Sequence, residues 1–337
     1  MALTNRFGWS ISRESLFDDC RRSYYFHYYM SWGGWKASSS PLCREAFLLK
    51  RLNSLPLWRG QLVHYVASKV LESMRRKGRI PAEDDVTGYI AERFRKQFAF
   101  SESRGYLASP KKQGGRLNID WLALIDHEYG RGVTDERREK ALFECVEGAR
   151  GLLRSSILAE IMDTDPSSWV IENIDLAEFA QTFDFEGATV FAKTDFIFRG
   201  NDGTYNIVDW KTFSGPVPGV EDPAGPDEGK AGIQMGVYGL FAARVTGEPL
   251  ENIRLHEINL LAGGSRSEHR IDGGNIDFFL GHVRSGIGKL KGVLTGSDIR
   301  RNEPLPPGHF PRNSGARCAG CRFFRICLDP SSAVRLD

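Results

Sequence analysis

Long uncharged segments and a secretory signal are missing from this sequence. Among its 337 residues no uncharged run exceeds thirteen residues, as from Ala231 to Ala243, whereas a membrane-spanning helix needs about 20 apolar residues. Charges are scattered from Met1 to Cys20 with no apolar stretch between them, so we expect a cytoplasmic protein without a membrane partner. A G-x4-G-K-[ST] phosphate loop is also missing, which excludes a helicase motor.

Cysteine is scarce as well. The chain has 6 cysteines, and a reducing cytoplasm disfavours disulfides while making clustered thiols candidates for metal ligands. Three of them lie close together near the end of the chain, at Cys318, Cys321 and Cys327. A tetrahedral zinc site or an iron-sulfur cluster needs a fourth thiolate, for which Cys20, next to Arg21 and Arg22, is the best candidate. We expect Cys43 and Cys145 to be buried thiols without a ligand role.

Charge is nearly balanced, at +2, but it is unevenly distributed along the chain. From Met1 to Arg79 there are fourteen Lys and Arg against five Asp and Glu, and from Arg300 to Cys327 there are six Arg and one Glu. From Glu160 to Lys230 fifteen acids face four bases. The basic ends could hold a polyanion while the acidic middle supplies carboxylates for cations, although charged faces exposed to solvent would give the same counts.

We divide the chain into four blocks, residues 1–80, 81–162, 163–265 and 266–337. The first contains a predicted helix over Arg13–Cys20, capped by Ser12, and a second helix over Gln61–Gly78 whose apolar residues follow helical periodicity. The second block is predicted to be a helical insertion, in which Thr134 caps a long amphipathic helix.

The third block changes from helical to strand-like patterning. Val190–Phe198 and Tyr205–Phe213 are rich in β-formers, and Gly200–Gly203 between them predicts a hairpin turn. Three further elements, a helix, a strand and a second helix, are predicted over Ala231–Val245, Ile253–Leu261 and Ile276–Leu290.

Asp209-Trp210-Lys211 lies inside the second predicted strand. Side chains alternate across a strand, so Asp209 and Lys211 project from one face and Trp210 from the other. Asp195 lies on the neighbouring strand of the hairpin, where its carboxylate can converge with that of Asp209. Two such carboxylates repel unless a cation lies between them, and Mg²⁺ or Mn²⁺ prefers oxygen ligands of this kind. The alternative is a surface hairpin with a solvated Asp and Lys pair.

Three other side chains have suitable spacing but are ordinary when taken alone. His64 is in register with Ala67 and Leu71 on its predicted helix, so it faces the interior or the edge of the apolar stripe, as a ligand or as a core histidine. Gln234 and Tyr238 are four residues apart and share one helix face, as packing residues also would.

Taken together and in this order, His64, Asp195, Asp209-Trp210-Lys211 and Gln234-x3-Tyr238 resemble the motifs of the PD-(D/E)XK nucleases. With one cysteine before them and three after, they resemble the iron-sulfur branch, which includes RecB-like, AddB-type and CRISPR-adaptation exonucleases. The chain departs from that pattern at Arg21, where family members often have Pro, and at Ala192, where they often have Gly. Neither departure removes a functional group.

The resemblance implies an α/β fold, namely a restriction-endonuclease-like core with a mixed sheet, a helical insertion, and a 4Fe-4S cluster that joins the two ends of the chain. It further implies that Mg²⁺ or Mn²⁺ is bound by Asp195, Asp209, His64 and the backbone carbonyl of Trp210. Lys211 would orient the attacking water and stabilise charge on the phosphate. The resemblance also implies that Gln234 and Tyr238 brace the site or contact DNA. A weaker candidate for a supporting acid is Glu172. The implied cluster ligands are Cys20, Cys318, Cys321 and Cys327.

The implied function is metal-dependent DNA cleavage, as an exonuclease on single strands or duplex ends in repair, recombination or defence, with a helicase or similar subunit as a further partner. The arginines that the cluster would bring to the substrate are Arg21, Arg22, Arg317, Arg322 and Arg325. Exposed aromatic residues between Tyr24 and Trp35 could stack on unpaired bases, although core packing explains most of them. Three alternatives stay open: an endonuclease or nickase on the same core, a DNA-binding subunit without turnover, and a zinc-stapled protein of another function.

Overall fold

The computed structural model describes residues 4–109, 111–113, 116–172, 181–213 and 230–328. Its α-helices, in chain order, are α1 (Ile11–Asp19), α2 (Arg21–Tyr25), α3 (Pro41–Leu49), α4 (Leu55–Lys77), α5 (Glu83–Glu102), α6 (Gly105–Ala108), α7 (Ile125–Glu128), α8 (Asp135–Arg154), α9 (Ser156–Met162), α10 (Lys230–Thr246), α11 (Ile276–Lys291) and α12 (Phe324–Leu328). Its strands are β1 (Lys112–Gln113), β2 (Arg116–Leu117), β3 (Trp169–Glu172), β4 (Thr182–Phe185), β5 (Ala188–Phe191), β6 (Phe196–Arg199), β7 (Tyr205–Lys211), β8 (Ile253–Asn259) and β9 (Ser265–His269). None of the described helices is both long and apolar enough to cross a lipid bilayer.

Five strands form a central sheet in the order β3-β6-β7-β8-β9. Strands β7 and β8 are parallel, and the other neighbouring pairs are antiparallel. The parallel pair requires a crossover connection, which contains α10. The sheet is therefore mixed, as predicted.

Alternate residues of the sheet enter two different hydrophobic cores. On one face Phe196, Val208 and Trp210 pack with residues of α4, α5, α8 and α9. On the other face Ile207 and Leu255 pack with residues of α10 and α11. Because both faces are covered by helices, a polar or charged side chain at a buried position of strands β6 to β8 is costly and requires a partner.

The helix that carries His64 has strong boundary signals. The side chain of Ser54 accepts a hydrogen bond from the backbone N–H of Leu57, and Gly78 ends the helix in the left-handed conformation at φ 64°. The helix therefore begins one and a half turns before the predicted start at Gln61, since Pro56 is tolerated in a first turn. The predicted cap of α8 is confirmed, because Thr134 accepts a hydrogen bond from Arg137 N–H.

Two local predictions were wrong. The cap of α1 is Ser10 rather than Ser12, since the Ser10 hydroxyl accepts from Arg13 N–H and the helix starts at Ile11. The predicted strand Val190–Phe198 is two strands in different sheets, β5 and β6. The break falls at residues 192–195, so Asp195 lies just before β6 and not within a strand. β-rich composition cannot locate such a break, because the residues on both sides are equally apolar.

The segment predicted to be an insertion is mainly helical. Its helices α5, α8 and α9 share a hydrophobic core with α4 and with one face of the central sheet. A short hairpin, β1 and β2, also lies in this segment. The segment therefore packs against the helix that carries His64, through Val63 and Ala67 among others.

Candidate functional site

Asp195 and Asp209 come together because of the register between β6 and β7. Phe196 pairs with Val208 in the antiparallel ladder. Extending this register by one residue brings Asp195, just before Phe196, next to Asp209, just after Val208. The backbone N–H of Trp210 donates a hydrogen bond of 2.8 Å to Asp195 Oδ2, which fixes that carboxylate beside the strand. The Asp209 side chain is buried, with 6% of its area exposed. Both carboxylates therefore enter one recess at the end of the hairpin.

His64 reaches the same recess from α4. Its Nδ1 lies 3.0 Å from Asp195 Oδ1, and its side chain is 24% exposed. Helix α4 lies close to the end of β7 at Gly60: a Cβ atom on this residue would lie only 2.9 Å from Thr212 Oγ1. Arg59 donates a hydrogen bond of 2.6 Å to the carbonyl of Thr212. A glycine and an arginine one turn before His64 thus set the distance between helix and strand.

The remaining predicted residues form a chain of contacts on the opposite side of Asp209. Lys211 Nζ lies 2.5 Å from Asp209 Oδ2 and donates a hydrogen bond of 2.7 Å to Gln234 Oε1. Gln234 Nε2 in turn donates a hydrogen bond of 2.7 Å to the hydroxyl of Tyr238. Helix α10 thereby holds the ammonium group of Lys211 against the carboxylate. We call the site formed by His64, Asp195, Asp209 and Lys211 the carboxylate pocket.

Burial and close charges shift the pKa values in the carboxylate pocket. Burial and the neighbouring charge of Asp195 raise the pKa of Asp209 to about 6, although Lys211 opposes the shift. Burial would raise the pKa of Asp195 too, but His64 and the hydrogen bond from Trp210 N–H lower it overall. Burial would lower the pKa of His64, and Asp195 raises it overall. The pocket therefore favours the ionised form of Asp195 and makes ionisation of Asp209 costly.

A further acid, Glu257, lies beside this pocket. It is in register with Asp209 across the parallel pair β7 and β8, so both side chains project from the same face. Glu257 is 3% exposed, and its Oε2 lies 3.4 Å from His269 Nε2. Burial would lower the pKa of Lys211, but the negative charges of Asp209 and Glu257 raise it overall. Our sequence analysis missed Glu257, although a carboxylate between Leu255 and Asn259 on the buried face of a predicted strand was a usable signal.

The residues of the carboxylate pocket suit a divalent cation in chemistry. Two carboxylates and an imidazole are hard or borderline ligands. In the geometry described, however, these groups bind one another and Lys211. No group of three or more His, Cys, Asp and Glu within the described ranges is arranged to hold one ion. Binding a metal through all three groups would therefore require a change in side-chain geometry.

The sequence from residue 8 to residue 328 matches the family profile of the PD-(D/E)XK nuclease superfamily. The chain belongs to that superfamily. The superfamily consists of phosphodiester-cleaving hydrolases that generally use Mg²⁺ or Mn²⁺. The mixed sheet flanked by helices agrees with such a core. A search of curated proteins finds no match to this chain.

The four cysteines expected to act as ligands line one cavity of this nuclease fold. Cys20 lies between α1 and α2, and the other three lie on the segment that precedes and forms α12, at Cys318, Cys321 and Cys327. Burial raises the pKa of Cys321, and the charges of the other three thiols raise it further. Phe26 and Phe323 form apolar walls of the cavity. We call this set the cysteine cavity; the ligand role of its thiols stays a prediction.

The other two cysteines differ from each other. Cys145 is fully buried in the core between α4, α5 and α8, as predicted. Cys43 is only partly buried, and its thiol contacts the carbonyl of Trp32 at 3.3 Å. Neither lines the cysteine cavity.

The arginines predicted to contact DNA have mixed positions. Arg22 donates to the Phe310 carbonyl and Arg317 to the Asp19 carbonyl, so both connect the chain ends. Arg325 forms ion pairs with two glutamates, and Arg322 donates to the Lys50 carbonyl. Arg21 is exposed and its guanidinium lies over the ring of Phe17. A DNA-contact role for these five arginines stays a prediction.

Two predicted groups have no described ligand geometry. Glu172 belongs to β3 through its backbone, but its side chain lies outside the described part of the structure. Trp210 takes part in the carboxylate pocket through its backbone N–H, and a ligand role for its carbonyl stays a prediction.

Proposed function

We propose that this protein is a metal-dependent DNA nuclease, and that it acts as an exonuclease on single strands or duplex ends. The observation that supports the proposal is the convergence of Asp195 and Asp209 with Lys211 and His64 in one recess of a superfamily that cleaves phosphodiesters. Two carboxylates next to an ammonium group match the charges needed to bind a cation beside a phosphate.

In this proposal Asp195, Asp209 and His64 hold Mg²⁺ or Mn²⁺. The ion, when bound, supplies a Lewis acid for the phosphate and a more acidic water. Lys211 donates to the attacking water and to the developing negative charge on the phosphate, which a localised ammonium charge in a partly desolvated site does well. Gln234 holds Lys211 in place, and Tyr238 holds Gln234. Because an imidazole ligand softens the site, we expect Mn²⁺ to support activity at least as well as Mg²⁺.

We also propose that the cysteine cavity holds a 4Fe-4S cluster. Each thiolate of such a cluster binds a different iron, so the sulfur atoms stand further apart than around a single zinc ion. The observation that supports the proposal is that all four thiols line one cavity. The cluster would tie α1 and α2 to the segment before α12.

The test is cleavage of linear single-stranded DNA by the purified protein with Mn²⁺. Asp209→Ala and Lys211→Ala should each lower the rate by about 10²- to 10³-fold or more, because each removes a charge that acts on the transition state. The matched controls are exposed residues of the same charge, Asp277→Ala and Lys140→Ala, which should retain full activity. Equal cleavage by all five proteins would show that the assigned pocket is wrong.

Three further observations separate the alternatives. A closed circular single strand survives a strict exonuclease and is opened by an endonuclease or nickase. DNA binding with no cleavage under any divalent metal would instead identify a subunit without turnover. Activity with Mg²⁺ and none with Mn²⁺ would argue against His64 as a ligand.

A further inference from the structure

Three cationic side chains lie close to one another, and we call them the basic path: Lys50, Arg51 and Lys111. Lys50 and Arg51 follow α3, and Lys111 precedes β1. The residues come from two separate segments, so only the tertiary structure brings them together.

Aromatic rings connect the members of the basic path. Lys50 and Arg51 lie over the ring of Phe47, at 5.5 and 5.2 Å from its centre. Arg51 and Lys111 lie over the same ring, that of Trp121, at 4.4 and 5.7 Å. These contacts hold the cations in place without neutralising them, because an aromatic ring carries no net charge.

The cations of the basic path lack acidic partners among the described residues. None of the three forms an ion pair with an acid there, whereas most other partly buried arginines do, such as Arg59 with Glu144 and Arg93 with Asp120. Burial lowers the pKa of Lys50, and the charges of Arg51 and Arg13 lower it further. Recessed cations that repel one another cost free energy unless an anion binds there. This arrangement indicates an anionic ligand.

One end of the basic path leads to the carboxylate pocket. Burial lowers the pKa of Lys111, and the neighbouring charges of Arg51 and Lys193 lower it further, so Lys193 lies close by. Lys193 is exposed and stands two residues before Asp195 on the same segment. The segment that carries Asp195 therefore adjoins this end of the basic path.

The other end of the basic path adjoins two exposed tryptophans. Trp32 and Trp35 are 36% and 40% exposed and contact each other edge to face at 5.1 Å. The Trp35 ring lies 5.7 Å from that of Phe47, over which Lys50 Nζ lies at 5.5 Å. Tyr24, in contrast, is fully buried and belongs to the core. Exposed aromatic rings next to a positively charged groove are typical of surfaces that bind unpaired nucleic acid strands.

We propose that the basic path binds the phosphodiester backbone of a single nucleic acid strand, whose bases stack on Trp32 and Trp35, and directs it to Asp195 and Asp209. The proposal rests on the proposed function and names its substrate as a single strand rather than a duplex. The phosphates of an extended strand can reach recessed cations, and its unpaired bases can reach indole rings. Arg322, which donates to the Lys50 carbonyl at 2.9 Å, is the one predicted DNA-contact arginine shown to contact a residue of this path.

The test is binding of a fluorescent oligothymidylate of about 20 nucleotides, followed by anisotropy over a range of salt concentrations in EDTA. The double variant Lys50→Gln/Lys111→Gln should bind about tenfold more weakly or worse. The slope of log Kd against log salt concentration should fall by about 1.4, which is about 0.7 for each lost cation. Trp35→Ala should weaken binding about tenfold while leaving the salt dependence unchanged, since stacking is not ionic.

The matched control is Lys140→Gln/Arg95→Gln, which removes two exposed cations that form no ion pair with a described acid. It should bind like the wild type, and thermal midpoints should show that all variants are folded. The proposal is overturned if the path variant binds like the control. It is also overturned if the path variant loses as much affinity for blunt duplex DNA as for the single strand.

A second measurement separates this proposal from the proposed function. Bis(p-nitrophenyl) phosphate is a small diester that reaches the carboxylate pocket without needing the basic path. If the wild type with Mn²⁺ cleaves neither it nor DNA while single-strand binding still depends on Lys50 and Lys111, the proposed function fails and the binding path stands. If the wild type cleaves DNA and binding ignores those residues, the binding path fails and the proposed function stands.

Discussion

The carboxylate pocket and the cysteine cavity are two candidate inorganic sites built on different principles. In the carboxylate pocket each charged group has a protein partner, with His64 on Asp195 and Lys211 on Asp209. In the cysteine cavity the thiols of Cys321 and Cys327 have raised pKa values because of burial, and their neighbours include the other thiols. The first site can form before any metal binds. The second gains its thiolate form only with a ligand that displaces the protons.

This difference indicates which part of the protein depends on a bound metal for its structure. The carboxylate pocket lies on strands β6 to β8, which are held by two hydrophobic cores. The cysteine cavity joins the chain ends, which are otherwise held by hydrogen bonds such as Asn313 to the Asp19 carbonyl and by the packing of Phe26 on Phe323. We expect metal loss to abolish chemistry in the first and to loosen the fold at the second.

The largest effect should come from the cysteine cavity. Cys321→Ser should lower the iron and sulfide content of the proposed cluster, because it replaces one of the four predicted thiolate ligands. Iron and acid-labile sulfide analysis and visible absorbance of anaerobically purified protein measure this loss. Cys43→Ser is the control and should keep full iron content, since Cys43 does not line the cavity. A colourless wild type with about one zinc per chain would support the zinc alternative.

The carboxylate pocket should respond in rate rather than in iron content. Lys211→Met should lower single-strand cleavage by about 10²- to 10³-fold, because it removes the cation next to the reacting phosphate while keeping a side chain of similar length. The iron content should not change, in contrast with Cys321→Ser. Lys140→Met serves as the control. A Lys211→Met protein that loses iron would show that the two sites are not independent.

A smaller effect should appear in the stability of the metal-free protein. The pKa of Asp209 rises from its ordinary 3.8 to about 6 on folding, so the folded state binds more protons and stability falls as pH rises from about 4 to 6. Asp209→Asn lacks this titration, so the wild type should lose about 1 to 3 kcal/mol of unfolding free energy relative to the variant between about pH 4 and pH 7. Urea unfolding in EDTA measures it.

Addition of Mn²⁺ gives the control for that stability change. The wild type should become more stable with metal, because an ion that binds only the folded state stabilises it. Asp209→Asn should gain less, since it lacks one ligand. Equal stabilisation of both proteins would argue against Asp209 as a metal ligand.

The smallest effect should come from Glu257, which our sequence analysis missed. Its charge helps to hold the pKa of Lys211 up, so Glu257→Gln should lower that pKa and shift the alkaline limb of the pH–rate profile to lower pH. The loss of maximal rate should be less than about tenfold, because Asp209 and Gln234 still hold Lys211. Glu251→Gln, on an exposed position before β8, is the control and should leave the profile in place. An unshifted profile in Glu257→Gln would make Glu257 a structural acid only.

Local signals predicted most elements of the fold. Helical periodicity located α4, α10 and α11, and Thr134 was correctly identified as a cap. The break before Asp195 was not predicted, because two apolar strands in succession look like one until their pairing partners are known. The basic path could not be predicted either, since its residues come from separate segments of the chain.

The sequence by itself determined the family, the acid and lysine on one face of a strand, and the clustering of three cysteines, because each of these is a matter of residue type and short spacing. Only the tertiary structure decided that Asp195 meets Asp209, that His64 reaches them, and that Lys50, Arg51 and Lys111 form one surface. The physical reason is that these groups come from segments distant in sequence. Strand register, helix packing and the burial of apolar faces place them together, and none of these can be read from local pattern alone.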